Sequence, residues 1–222
     1  MNEANARVCG RFVLREKIGA GGFGEVWRAY DEVRELDVAL KILYPQLTQS
    51  SAAWRVLERE FTLSSRLNHP GVLRVYEPLR DERQAVLPMT FAPGADLRSL
   101  RGQRYTRIVP LLIEVARALE HAHSRGIVHR DLKSGNVLLD VGRRVLLADF
   151  GSAAAEGDAD NSLPGSPFTA SPQQLSGEPP TAADDIYGLG ALAYELLSGA
   201  PPFYPNFDVE RVCKEPAPAL SP

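Results

Sequence analysis

The sequence predicts an α+β fold in two lobes, a small antiparallel β-sheet with one helix followed by a mainly helical part. Three observations carry the prediction. Residues 11–34 alternate as strands do around a Gly-rich stretch, residues 52–67 repeat apolar side chains at helical spacing, and two stronger helical periodicities lie at 108–122 and 186–197. A chain of 222 residues can bury a sizeable core in one or two subdomains.

Phe12 and Leu14, then Val26, Arg28 and Tyr30 opposite Glu25, Trp27 and Ala29, set the alternation, so Gly19, Gly21, Gly22 and Gly24 fall in a hairpin. A dinucleotide-binding glycine motif would instead open a helix, and a P-loop would carry a lysine that is missing here. Val38–Leu43 reads as a short apolar strand containing Lys41. After the break at Pro45, Ala52–Leu67 reads as the single helix of the first lobe, with Trp54, Leu57 and Phe61 on one stripe. Val72–Glu77 and Gln84–Phe91 follow as strands that complete the sheet; Pro88 is unexpected there, because proline lacks a ladder donor. Beyond Asp96, Ile108, Leu111, Leu112, Val115, Leu119 and Ala122 mark a core helix that Gly126 stops. Ile186, Leu189, Ala193, Leu196 and Leu197 mark a more apolar one, expected as a central buried helix ending at Gly199.

Net charge is −3 with both signs interspersed, so no basic footprint for nucleic acid or an anionic membrane is present. No stretch is apolar and unbroken enough for a signal core or membrane insertion. Cys9 and Cys213 lie at opposite ends without metal-ligand spacing, which points to two reduced thiols and a reducing, cytoplasmic setting.

The chemistry concentrates near the middle. His129-Arg130-Asp131-Leu132-Lys133-Ser134-Gly135-Asn136 is followed by Asp149-Phe150-Gly151, with Val38-Ala39-Leu40-Lys41 and the glycines upstream. Alone, each is weak: the glycines could be an ordinary turn, Lys41 or Glu60 a solvated charge, His129 a core histidine. Together and in this order they suit phosphoryl transfer, which asks a protein to align two oxygens and neutralise phosphate charge. Asp131 can accept a hydrogen bond from a hydroxyl nucleophile. Asn136 and Asp149 offer hard oxygen donors of the kind that suits Mg2+.

On these motifs the chain resembles the eukaryotic-like, bacterial-type Ser/Thr protein kinases from about Val13 to Phe203. The resemblance implies a two-lobed protein-kinase fold over residues 1–222, with an N-lobe at about 11–91 and a partial C-lobe at 92–222, since members usually continue well past an element like Pro201-Pro202-Phe203. It implies ATP and Mg2+ as cofactors and transfer to Ser or Thr of a protein substrate or of the chain itself, while the interspersed charge gives no expectation of a nucleic-acid partner. Asp131 and Lys133 would serve the transfer, and Lys41, held by Glu60, the α- and β-phosphates. The backbone of Gly19–Gly24 would cover the phosphates, Val26, Ala39 and Leu138 would sandwich adenine, and Met89 would guard the back of the pocket. Thr90 and Ala92 would form the hinge, and Asp96 would complete the nucleotide site. His129 would pack under Phe150, and Asp185 would brace the backbone of the catalytic loop.

Two features concern the segment after Asp149. Arg130 is typical of members whose activation segment is held by a phosphate, so Ser162 reads either as an autophosphorylation site that pairs with Arg130 or as a solvated loop serine beside Asp158 and Asp160, whose charge could repel a phosphate or stand in for one. Ser171-Pro172-Gln173 stands where the family has Ala-Pro-Glu or Ser-Pro-Glu, so Gln173 replaces a carboxylate expected to be buried. Two alternatives accompany the kinase reading. A nucleotide-binding pseudokinase or scaffold would bind without turnover, and a small-molecule phosphotransferase would turn over metabolites rather than peptides; the Gly165-Ser166-Pro167 loop disfavours the second.

Overall fold

The computed structural model describes residues 3–158 and 166–220, and the chain divides into two compact units. One takes the chain up to Arg66 together with Leu73–Ala92; the other takes Leu67–Val72 and the chain from Pro93 onward.

In the first unit, strands β1 (Arg7–Val8), β2 (Phe12–Ala20), β3 (Gly24–Asp31), β4 (Leu36–Leu43), β5 (Leu79–Arg80) and β6 (Ala85–Thr90) form one antiparallel sheet in the order β1-β2-β3-β4-β6-β5. Strand alternation divides its two faces. Phe12, Leu14, Trp27, Ala29, Val38, Leu40, Ile42 and Val86 pack on one. On the other, Leu43, Ala85 and Leu87 meet Ala53 and Leu57 of helix α2 (Ser51–Ser64), which Ser50 caps by accepting from the Ala53 N–H. A one-turn helix, α1 (Pro45–Thr48), precedes α2, because proline suits a first helical turn as well as a break.

Two expectations for this unit change. Val72–Glu77 is not a regular strand: Val72 bridges Leu147 and Val75 bridges Met89, so the segment divides its pairing between two partners, and the edge strand falls at β5. Pro88 does lie within β6, and its carbonyl accepts from the Tyr76 N–H at 2.8 Å. Its nitrogen therefore faces residues 74–76 rather than β4, where the missing donor breaks no regular ladder.

The second unit is built on helices α3 (Tyr105–His123) and α5 (Ala182–Ser198), with the short helices α4 (Pro172–Leu175) and α6 (Val209–Lys214). Two strand pairs support its loops: β7 (Ile127–Val128) pairs with β10 (Ala154–Ala155), and β8 (Val137–Leu139) with β9 (Val145–Leu147); Leu67–Val72 joins the second pair because the Leu147 N–H donates to the Gly71 carbonyl at 2.8 Å. Helix α3 buries Ile108, Val115, Ala118, Leu119 and Ala122. Helix α5 starts where Asp184 accepts from the Thr181 N–H and ends at Gly199, whose φ of 95° suits glycine. Helix α5, expected as a central buried helix, buries one side: Ala191, Leu192 and Leu196 are buried while Ile186 is 59% exposed. Among the described residues, no helix is long and apolar enough to cross a membrane.

Candidate active site

In the first unit, register gathers the expected nucleotide residues. Val26 pairs with Lys41, Lys41 with Leu87, and Ala39 with Met89, and paired residues share a face, so all five side chains project from one side of the sheet. Helix α2 faces the sheet with Ala53, Leu57, Glu60 and Leu63 buried. Glu60 is thus a carboxylate in the middle of an apolar stripe, and Lys41 accounts for it: Nζ lies 2.8 Å from Glu60 Oε2, with Glu60 only 2% exposed. Thr90 pairs with Val38, which places its side chain on the opposite face, and its N–H donates to the Arg74 carbonyl at 2.9 Å. Ala92 closes this unit, half-buried.

The Gly-rich turn joins β2 to β3, with the Gly21 N–H donating to the Gly24 carbonyl at 2.8 Å. Its glycines differ in cause. A Cβ on Gly24 would lie 1.9 Å from the Ile42 carbonyl oxygen, so the β3–β4 approach requires glycine there. Cβ atoms on Gly21 and Gly22 would meet nothing within 4 Å, and one on Gly19 only Val26 at ordinary distance.

In the second unit, α5 supports the loop 129–136. Asp185 accepts from the backbone N–H of His129 (2.8 Å) and Arg130 (2.9 Å) and bonds His123 Nε2 (2.7 Å). Gln174 Nε2 donates to the Arg130 carbonyl at 2.9 Å. With its peptide groups held from both sides, Arg130 sustains a φ of 67°, a conformation that costs a non-glycine residue about 1–2 kcal/mol. His129 donates from Nε2 to the Ala148 carbonyl (3.0 Å) and accepts at Nδ1 from the Asp131 N–H (3.3 Å), which assigns its tautomer; its ring meets Phe150 edge-on at 4.7 Å.

Asp131 is 5% exposed. Its Oδ2 accepts from Lys133 Nζ (2.7 Å) and Asn136 Nδ2 (2.9 Å), while Oδ1 is buried without a protein hydrogen-bond partner among the described residues. Lys133 Nζ also reaches Ser166 Oγ at 2.9 Å, so one ammonium links the loop to the segment after Asp149. Asn136 spends its amide nitrogen on Asp131, which turns its amide oxygen the other way. Val137 pairs with Leu147 and the Ala148 N–H donates to the Asn136 carbonyl at 2.9 Å, so the β8–β9 hairpin sets Asn136 beside the strand end from which Asp149 emerges. Asp149 has φ 64° and opens the turn Phe150–Ser152. Leu138, half-exposed, bridges Asp96. Asp96 caps the turn Leu97–Leu100 by accepting from the Arg98 N–H and pairs with the Arg98 guanidinium at 2.6 Å, which raises the pKa of Arg98.

Two details differ from the sequence reading or escaped it, and one expectation falls outside the described residues. Gln173, expected to be buried, is exposed; the buried residue is its neighbour Gln174, which reads the Arg130 carbonyl and completes a capping box with Ser171. Ser162 and Gly165 lie outside the described residues, and Arg130 itself is buried at 7% exposure. Glu195, buried in α5, accepts from Ser134 Oγ at 2.8 Å and pairs with Arg101, a cluster that only its long-range geometry reveals.

A match to the protein kinase domain family spans residues 12–217. The chain is 35% identical over 215 residues to a probable serine/threonine-protein kinase of Streptomyces coelicolor, covering 90% of this chain and 32% of that protein. It is 32% identical over 226 residues to the serine/threonine-protein kinase PknB of Mycolicibacterium smegmatis (94% and 36%), and 33% identical over 199 residues to an Aurora kinase of Schizosaccharomyces pombe (87% and 56%). The chain therefore spans about a third of the length of these bacterial relatives.

Proposed function

We propose that this chain, which belongs to the protein kinase domain family, transfers the γ-phosphate of ATP to Ser or Thr hydroxyls of proteins, its own included. The observation that carries the proposal is the state of Asp131. Lys133 and Asn136 fix one carboxylate oxygen, and the other is left as a buried acceptor for a substrate hydroxyl.

Each residue then has a task. Asp131 Oδ1 orients the seryl or threonyl hydroxyl and takes its proton as that oxygen bonds to phosphorus and the bridging oxygen leaves with ADP. Lys133 holds positive charge beside the reacting oxygens and keeps Ser166 against the loop. Lys41, positioned by Glu60, binds the α- and β-phosphates. The fold leaves Gly21 and Gly22 unexplained, and a phosphate approaching their backbone supplies a reason. One carboxylate and one amide oxygen, from Asp149 and Asn136, fit Mg2+, which binds few protein groups and completes its shell with water and phosphate. When bound, Mg2+ neutralises charge on the transferred group. The free thiols of Cys9 and Cys213 fit a reducing, cytoplasmic setting.

Transfer of label from γ-radiolabelled ATP, to the chain and to a generic basic protein, tests the proposal. Phosphoserine or phosphothreonine in wild type, lost in Asp131→Ala and Lys41→Met, is the expected result. ATP binding without transfer would assign the chain to the nucleotide-binding scaffolds instead.

A further inference from the structure

We propose that Ser134, acting through Glu195 and Arg101, is a second anchor that positions the loop carrying Asp131, Lys133 and Asn136; the inference rests on the kinase reading of that loop. Asp185 holds the start of the loop by two backbone N–H groups. Nothing in that contact fixes its far end. There, Ser134, 1% exposed, donates its hydroxyl to Glu195 Oε1 at 2.8 Å.

Glu195 sits ten residues beyond Asp185 on the same helix, about 15 Å along its axis, so α5 grips the loop at both ends. A buried carboxylate needs a cation, and Arg101 supplies it, with Nη2 also 3.4 Å from Ser134 Oγ. Arg98, three residues before Arg101 and fixed by Asp96, lies against Gly135, where a Cβ would stand 3.5 Å from its Nε. The turn Ser134–Asn136 starts at the anchored serine, and the Asn136 amide ends on Asp131. A shift of Ser134 therefore moves the side chain that orients the carboxylate. Ser134, Glu195 and Arg101 are positioning residues, because none touches the reacting oxygens.

Steady-state kinetics and amide exchange on the full chain test this with Ser134→Ala, Arg101→Gln and the double variant. Each single variant is expected to lower kcat about tenfold with KM for ATP within about twofold of wild type, since displacement of a catalytic group costs rate rather than binding. Exchange at residues 131–136 should quicken while that of α5 does not. Because the two side chains share one anchor, the double variant should lose little more than either single. Unchanged kcat and unchanged exchange in Ser134→Ala, or a fully multiplicative loss in the double variant, would overturn the proposal. A wild-type chain without phosphoryl transfer would sink the kinase reading alone, and exchange at 131–136 would still decide the anchor.

Discussion

Two lysine–carboxylate pairs, one in each unit, have almost the same length and different origins. Lys41 and Glu60 meet at 2.8 Å across 19 residues, from a strand and a helix; Lys133 and Asp131 meet at 2.7 Å within one loop, two residues apart. The first exists only when α2 is packed on the sheet, since Glu60 is placed by the stripe it shares with Leu57 and Leu63. The second is built by local backbone that α4 and α5 hold on both sides of Arg130. A pair made by packing can be opened by moving a helix, whereas a pair made by a braced loop is preset.

Breaking the preset pair should have the largest effect. Asp131→Asn should lower kcat about a thousandfold, the scale of losing a general base, with an unchanged melting temperature. Single-turnover transfer to a Ser/Thr peptide measures it. Glu60→Gln should follow, because it keeps a hydrogen bond to Lys41 but removes the charge: a loss of about tenfold in kcat/KM for ATP, at the scale of one charge-assisted bond. An effect of Glu60→Gln equal to that of Asp131→Asn would erase the distinction between the pairs.

The brace of the loop gives the next effect. Gln174→Ala removes the donor to the Arg130 carbonyl and should cost about 1–3 kcal/mol in chemical denaturation, whereas Gln173→Ala, at an exposed site, should stay within about 0.5 kcal/mol. The smallest effect compares one thiol from each unit. Burial first, then the Asp81 charge, pushes the Cys9 thiol up to about 12, so it is protonated across the neutral range; Cys213 is exposed. A thiol reagent at pH 8 should label Cys213 quickly and Cys9 only on unfolding, leaving both pairs intact.

How much of this was legible in the sequence follows from the same division. The placement of Asp131, Lys133, Asn136 and Asp149 could be read because one loop and one hairpin set their spacing. Lys41 and Glu60 could be named, but not joined, from spacing, since only the packing of α2 brings them together. The split of Val72–Glu77 between Leu147 and Met89 leaves no trace in strand periodicity, so the expected strand dissolved into bridges. Gln173 and Gln174 are chemically identical neighbours on a one-turn helix, and burial alone tells them apart. Ser134, Glu195 and Arg101 lie 61 and 94 residues from one another in sequence, beyond the reach of any local pattern.

On the proposed function the two pairs divide the work, the packed one binding the nucleotide and the braced one serving the transfer. Titration of Mg-ATP by calorimetry against wild type, Lys41→Met and Asp131→Asn tests it directly. Affinity within about twofold of wild type is expected for Asp131→Asn, and at least about tenfold weaker binding for Lys41→Met, the worth of one charged hydrogen bond. Loss of nucleotide affinity in Asp131→Asn equal to that in Lys41→Met would contradict it.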